Sequence, residues 1–202
     1  MKQYHDRRSE MLQFIRLYME ERFQESCRHI QVEIEKNGYA IWSELKEKIN
    51  ELLHRKNGKI KFFVCSFLRY SLYLERLEFY IHIMDEGFYL DEQETGIYYC
   101  PQFLQELYLD DLNYLYKRAA EKFMQIQDYE LFDIKEEYTE YYYSFMYHMM
   151  ESVSGLIMEV IAENGSLIAD GFKIIYGEYM GNATVLYTRE ECGNEILSNR
   201  NG

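Results

Sequence analysis

The stretch Glu136–Glu163, EEYTEYYYSFMYHMMESVSGLIMEVIAE, decides how this chain is read. It has no proline and is dense in tyrosine and methionine. Ile134, Tyr138, Tyr141, Phe145, Met149, Val153, Leu156 and Val160 recur at steps of three and four, which stacks them in one stripe along a helix. Tyr142, Met146, Met150, Ile157 and Ile161 form a second row beside it. A helix apolar around so much of its circumference belongs in a core. The other elements are expected to pack on it, with Phe145, Met149 and Leu156 turned inward.

Working outward, Asn164-Gly165 marks the end of this helix, and Asp128 to Asp133 reads as the break before it. The preceding helix opens at Pro101, where a proline fits the first turn. It carries Leu104, Tyr108, Leu112, Leu115, Ala119, Phe123 and Ile126, and the pattern ends near Gln127. After the Tyr-rich helix, residues 172–176 and 184–187 are β-like, and Met180-Gly181-Asn182-Ala183 between them predicts a hairpin turn. Gly177, which interrupts the first of these strands, predicts a bulge or a close backbone approach.

Toward the N-terminus, Ser9 is a candidate N-cap for a helix with Ile15, Met19, Phe23 and Ile30 in its stripe. Asn37-Gly38 predicts its stop, because glycine enters the left-handed region without steric cost. A second helix follows to Lys56, and so short a loop predicts an antiparallel pair. Residues 59–91 change character: Phe63, Phe67, Tyr70, Leu74, Leu77 and Ile81 fit a helix, but the alternation and the turn that follow favour strands. Ile60, Phe62 and Val64 alternate with Lys61, Phe63 and Cys65, and Leu77, Phe79, Ile81 and Ile83 alternate with Glu78, Tyr80, His82 and Met84. Both sides of the first alternation are apolar, as in a strand covered on both faces. Asp85-Glu86-Gly87 supplies a turn, and Ile97–Cys100 a short edge strand. The fold class is therefore α+β: four long helices on a small antiparallel sheet, a meander over about 59–91, with a C-terminal β-hairpin. Residues 1–190 are expected to form one domain and 191–202 a frayed tail.

The formal charge is −13, and it is uneven. Residues 1–84 carry net +3, residues 85–140 net −11 and residues 141–202 net −5. A middle section this acidic repels nucleic acid and anionic lipid and attracts a basic protein. Cys27, Cys65, Cys100 and Cys192 show no C-x-x-C spacing, so neither a zinc nor a redox motif is indicated. The absence of a signal-peptide pattern at the N-terminus predicts a cytoplasmic protein with reduced thiols. No 18-residue uncharged run exists, so no membrane span is expected.

Glycine-rich phosphate loops and the G-x-S-x-G elbow are absent. His82 lies four residues after Glu78 on a predicted strand, so both point to one side, the geometry of a general-base pair. His148-x-x-Glu151 shares a helix face, in the reverse order of the di-iron Glu-x-x-His motif and unrepeated. Neither supports a metal or a cofactor. The acid pairs Asp110-Asp111 and Glu136-Glu137, with Glu140 one turn on, lie beside a run of tyrosines. Tyrosine gives large contact area at small entropic cost. Asp110, Asp111, Glu136, Glu137, Glu140, Tyr143 and Tyr147 are therefore the expected partner-binding residues. The function this predicts is a non-enzymatic interaction module, of the kind an acidic inhibitor or immunity protein provides, holding a basic protein partner. The alternatives are a small hydrolase using carboxylates with a histidine, and a homo-oligomer joined through the Tyr-rich helix.

Overall fold

The computed structural model describes residues 2–56, 58–90, 95–164 and 168–189. The predicted tail and Cys192 lie outside the described residues, as does most of the acidic loop after Leu90. The chain forms helix α1 (Lys2–Arg55), strands β1 (Ile60–Phe67), β2 (Phe79–Met84) and β3 (Thr95–Tyr99), helices α2 (Gln102–Lys122) and α3 (Asp128–Glu163), and strands β4 (Ile168–Glu178) and β5 (Ala183–Thr188). Short 3-10 turns fill Arg69–Leu74 and Phe88–Leu90. The α+β reading holds, and all four predicted helical segments are helical.

The first two of those segments run on as one helix. Ser9 lies inside it rather than at its start, and Gly38 keeps helical backbone instead of turning left-handed. There is thus no antiparallel pair. A glycine inside a helix costs only about 1 kcal/mol relative to alanine. Side-chain bonds one turn apart bridge this stretch: Asn37 Nδ2 donates to Glu33 Oε1 at 2.8 Å and Gln31 Nε2 to Glu35 Oε1 at 3.0 Å. At 1.5 Å per residue, a helix of 54 residues is about 81 Å long. Its two ends do different work: Met11, Ile15, Met19 and Ile30 are buried in one segment and Leu45, Ile49 and Leu52 in the other, with no buried side chain from 31 to 44.

The strands form one sheet in the order β3-β2-β1-β4-β5. The predicted meander is β1-β2-β3, antiparallel throughout, with Ile97 in the edge strand. The turn at Asp85-Glu86-Gly87 leads into the 3-10 turn at Phe88, so the third strand starts later than Phe88. The C-terminal hairpin joins the same sheet, because β4 lies parallel to β1. Phe63, Cys65, Phe79, Ile81, Ile83, Tyr99, Phe172, Ile174 and Tyr176 face the helices and share one core with them. The opposite face carries a small cluster of Val64, Met84 and Ile175 under Phe62 and Phe88, which accounts for the two-sided apolar pattern of β1.

Helix α2 stops at Lys122, short of Gln127, and α3 begins at Asp128 rather than after Asp133. The segment that read as a break is a capped first turn. Glu130 Oε2 accepts the Gln127 backbone N–H at 2.9 Å, and acidic Asp128 and Glu130 suit the positive end of the helix dipole. Ile134, Tyr138 and Val160 of the first apolar row of α3 are buried as expected, but between them the second row is the more enclosed. Tyr142, Met146, Met150, Ile157 and Ile161 are fully buried, whereas Phe145, Met149 and Val153 are half-buried and Leu156 is exposed.

Candidate functional site

Helix α3 presents different carboxylates to different neighbours. Glu130, Asp133 and Glu137, at steps of three and four, face α1. Arg7 Nε lies 2.9 Å from Glu130, Arg8 pairs with Asp133, and Arg16 Nε lies 2.5 Å from Glu137. Glu136, Glu140, Tyr143 and Tyr147, at steps of four, three and four, turn instead toward the end of β1 and the β4-β5 hairpin. There they edge a cleft of about 320 Å³ lined by Phe67, Glu140, Tyr143, Ser144, Tyr147, Tyr176, Gly177, Asn182, Ala183 and Thr184.

The walls of this cleft are held from behind. The Tyr143 ring stacks on Phe67 with centroids 4.2 Å apart and planes at 18°. Tyr176 donates its hydroxyl to the Tyr143 backbone carbonyl at 2.7 Å, which fixes its ring, and Tyr147 meets that ring edge-on at 5.9 Å. The Tyr143 hydroxyl is buried without a hydrogen-bond partner among the described residues, although Ser71 is close enough to ease its ionisation; burial nonetheless pushes it up to about 12. Gly177 is where the hairpin closes. A Cβ there would stand 2.3 Å from the Asn182 carbonyl oxygen and 2.4 Å from Ala183 Cα, so no other residue fits without moving backbone. This is the close approach that the interrupted strand predicts.

The rim is anionic. Arg69, at the start of the 3-10 turn after β1, places Nε 2.5 Å from Glu178 and Nη1 3.5 Å from Glu136. Glu140 forms no ion pair among the described residues. The residue is exposed, yet the partial shielding of its carboxyl raises its pKa, the Arg69 charge lowers it less, and Glu136 and Glu178 raise it further. Three carboxylates around one guanidinium leave a formal excess of two negative charges, with Arg69 in contact with Glu136 and Glu178 and acting on Glu140 only at longer range.

The remaining predicted residues go elsewhere. Asp111 is fully buried between α1, α2 and α3 and cannot touch a partner. Its Oδ1 accepts from Arg22 Nε at 2.7 Å and from Ser26 at 2.9 Å; its Oδ2 accepts from Tyr138 and Tyr142, each at 2.7 Å. A charge can remain inside only when its lone pairs are filled in this way. Burial, then the Asp111 charge, raises the pKa of both tyrosines. Asp110, its exposed neighbour, lines a separate groove of about 410 Å³ between α1 and α2, with His29, Val32, Glu33, Lys36, Phe103, Glu106 and Leu107. Of the seven predicted residues, Glu140, Tyr143 and Tyr147 meet in the cleft and Glu136 stands at its rim. Asp110, Asp111 and Glu137 do not join them.

His82 and Glu78 do not form the expected pair. His82 is fully buried on the sheet face away from the helices, with Nε2 3.3 Å from Ser66 Oγ, and burial brings its pKa down to about 4. Glu78 accepts instead from the Tyr70 hydroxyl at 3.0 Å and pairs with Arg76. His148 is exposed on α3, 3.5 Å from Glu151, and neither it nor His82 lines either cleft. Among the described residues no group of three or more His, Cys, Asp or Glu side chains could hold a metal ion, and no helix is long and apolar enough to cross a membrane.

Sequence reasoning missed Arg69, Tyr176 and Glu178. Tyr176 carried a signal, since it directly precedes the glycine that interrupts β4. Arg69 carried none, because it reaches the site only through the turn that follows β1. Comparison with protein-family models, with curated proteins and with solved structures finds no match to this chain.

Proposed function

We propose that this protein is a non-enzymatic interaction module that holds a basic protein partner, in the manner of an acidic inhibitor or immunity protein. The observation that carries the reading is the cleft between α3 and the C-terminal hairpin: rigid aromatic walls with a carboxylate, Glu140, that forms no ion pair among the described residues. Aromatic side chains packed in place and bordered by charge are what a protein-binding hot spot needs. The excess negative charge favours a basic partner, speeds its approach at low salt and repels nucleic acid. A cytoplasmic location belongs to the same proposal.

The test is paired capture from the native cell. The wild-type chain and the variant Glu136→Gln/Glu140→Gln/Glu178→Gln serve as baits, each at low salt and at 0.5 M salt on the order of a threefold shorter screening length. The reading expects a basic protein held by wild type, released by salt and lost from the variant. A captured protein that is acidic, or one held equally by the variant, contradicts it.

A further inference from the structure

We infer that the cleft between α3 and the β4-β5 hairpin accepts a single basic side chain, lysine or arginine, projecting from the bound protein. The inference rests on the proposed function and names what that site takes.

Two features of the cleft lead to it. The walls are π-systems: half-buried Phe67 and Tyr147, with the buried rings of Tyr143 and Tyr176 reaching the lining beside them. A cation within about 6 Å of such ring faces is attracted by the ring quadrupole, more strongly where water is excluded. The aliphatic stem of lysine or arginine also covers apolar surface that a bare ion cannot. The second feature is charge. Glu140 lines the cleft, and Glu136 and Glu178 at the rim already share Arg69. A second cation entering beside Glu140 completes a two-to-three arrangement without displacing Arg69. The volume of about 320 Å³ sits at the lower end of the range of ligand pockets, which suits one side chain rather than a cofactor.

The walls are fixed before anything binds. The Tyr176 hydroxyl is tied to the α3 backbone, and the close approach of Gly177 to Asn182 and Ala183 draws the two strands of the hairpin together beside the cleft. Pre-organisation of this kind reduces the ordering cost of binding. The α1-α2 groove differs: its rings are Phe103 and His29, and Lys36 is a cation among its lining residues with Glu33, Glu106 and Asp110.

The experiment is an NMR titration of the full chain, isotope-labelled, with four probes: N-acetyl-arginine methylamide, N-acetyl-lysine methylamide, the neutral N-acetyl-norleucine methylamide, and choline. The two basic amides are expected to shift resonances of Phe67, Tyr147, Tyr176, Gly177 and Thr184 saturably, with millimolar affinity as befits so small a ligand. Norleucine amide should bind about tenfold more weakly or not at all. Glu140→Gln, a substitution at the exposed rim, should weaken the basic amides about tenfold while leaving the rest of the spectrum in place; Tyr147→Leu should do the same. Equal binding of norleucine amide overturns the inference, as do unchanged affinity in Glu140→Gln or shifts confined to the α1-α2 groove. Binding of choline in preference to both amides overturns it too, since the ligand would then be a small quaternary ammonium. If a basic protein is captured in a salt-sensitive way and the amides leave the cleft untouched, this inference fails and the proposed function stands. If the amides bind and no basic protein is captured, the proposed function fails.

Discussion

Glu137 and Glu136 are neighbours on α3, about 100° apart around its axis, and they belong to different systems. On the side of Glu137, Glu130 and Asp133, together with Asp111 of α2, the carboxylates meet Arg7, Arg8, Arg16 and Arg22 of α1. The surplus positive charge of residues 1–84 is in part set against the acidic middle of the same chain. On the side of Glu136, Glu140 and Glu178, three carboxylates share Arg69 beside a cleft. Acidic charge in a sequence is therefore not one quantity. Where a long basic helix lies against it, it is spent on the fold, and only what remains is available to a partner.

The sharpest way to break this contrast is at Asp111. Asp111→Ala leaves the buried hydroxyls of Ser26, Tyr138 and Tyr142 without their acceptor and Arg22 with Glu25 alone, so it is expected to lose about 3 kcal/mol. Urea unfolding measures it, and a loss under about 1 kcal/mol would place Asp111 among the dispensable acids.

A control for that ranking comes from the opposite sheet face, where His82 is buried with Ser66 and near Tyr80 and Tyr179. Its pKa is lowered by burial from the ordinary 6.5 to about 4, so the fold favours neutral imidazole. That contribution is complete above pH 6.5 and is lost as pH falls toward 4. Wild type should lose roughly 3 kcal/mol more than His82→Gln across this window. Parallel pH profiles of the two proteins would show that acid sensitivity comes from the carboxylates alone.

The smallest effect is expected at the solvent-facing end of the α1-α3 seam. A double-mutant cycle on Arg16, which is exposed, and Glu137, which is half-buried, should give a small coupling that fades with salt. A coupling as large as the Asp111 loss would erase the distinction between seam and interior.

Much of this architecture is written in periodicity. The helices, the meander and the hairpin follow from alternation and three-four spacing, because those patterns record which side of an element is dry. What periodicity does not record is what lies opposite. Two apolar rows one position apart on α3 look alike, and only the placement of α1, α2 and the sheet decides that Tyr142, Met146 and Met150 are enclosed while Leu156 is not. Gly38 carries the composition of a stop but is overruled by the helix continuing on either side. Asp111 falls three residues after Tyr108 and four before Leu115, inside the apolar stripe of α2, so its position rather than its charge announced that it is buried. The cleft was half legible: Glu140, Tyr143 and Tyr147 share a helix face, whereas Arg69, Tyr176 and Glu178 arrive from the sheet.

The central claim is that the fold needs the carboxylates facing α1 and does not need those at the cleft. Urea unfolding at pH 7 of two matched triple variants tests it: Glu130→Gln/Asp133→Asn/Glu137→Gln against Glu136→Gln/Glu140→Gln/Glu178→Gln. The first should lose about 3 kcal/mol or more, since it strips a buried helix cap and the interhelical pairs, and the second should stay within about 0.5 kcal/mol of wild type. Equal losses in the two, or a larger loss in the second, would contradict the account.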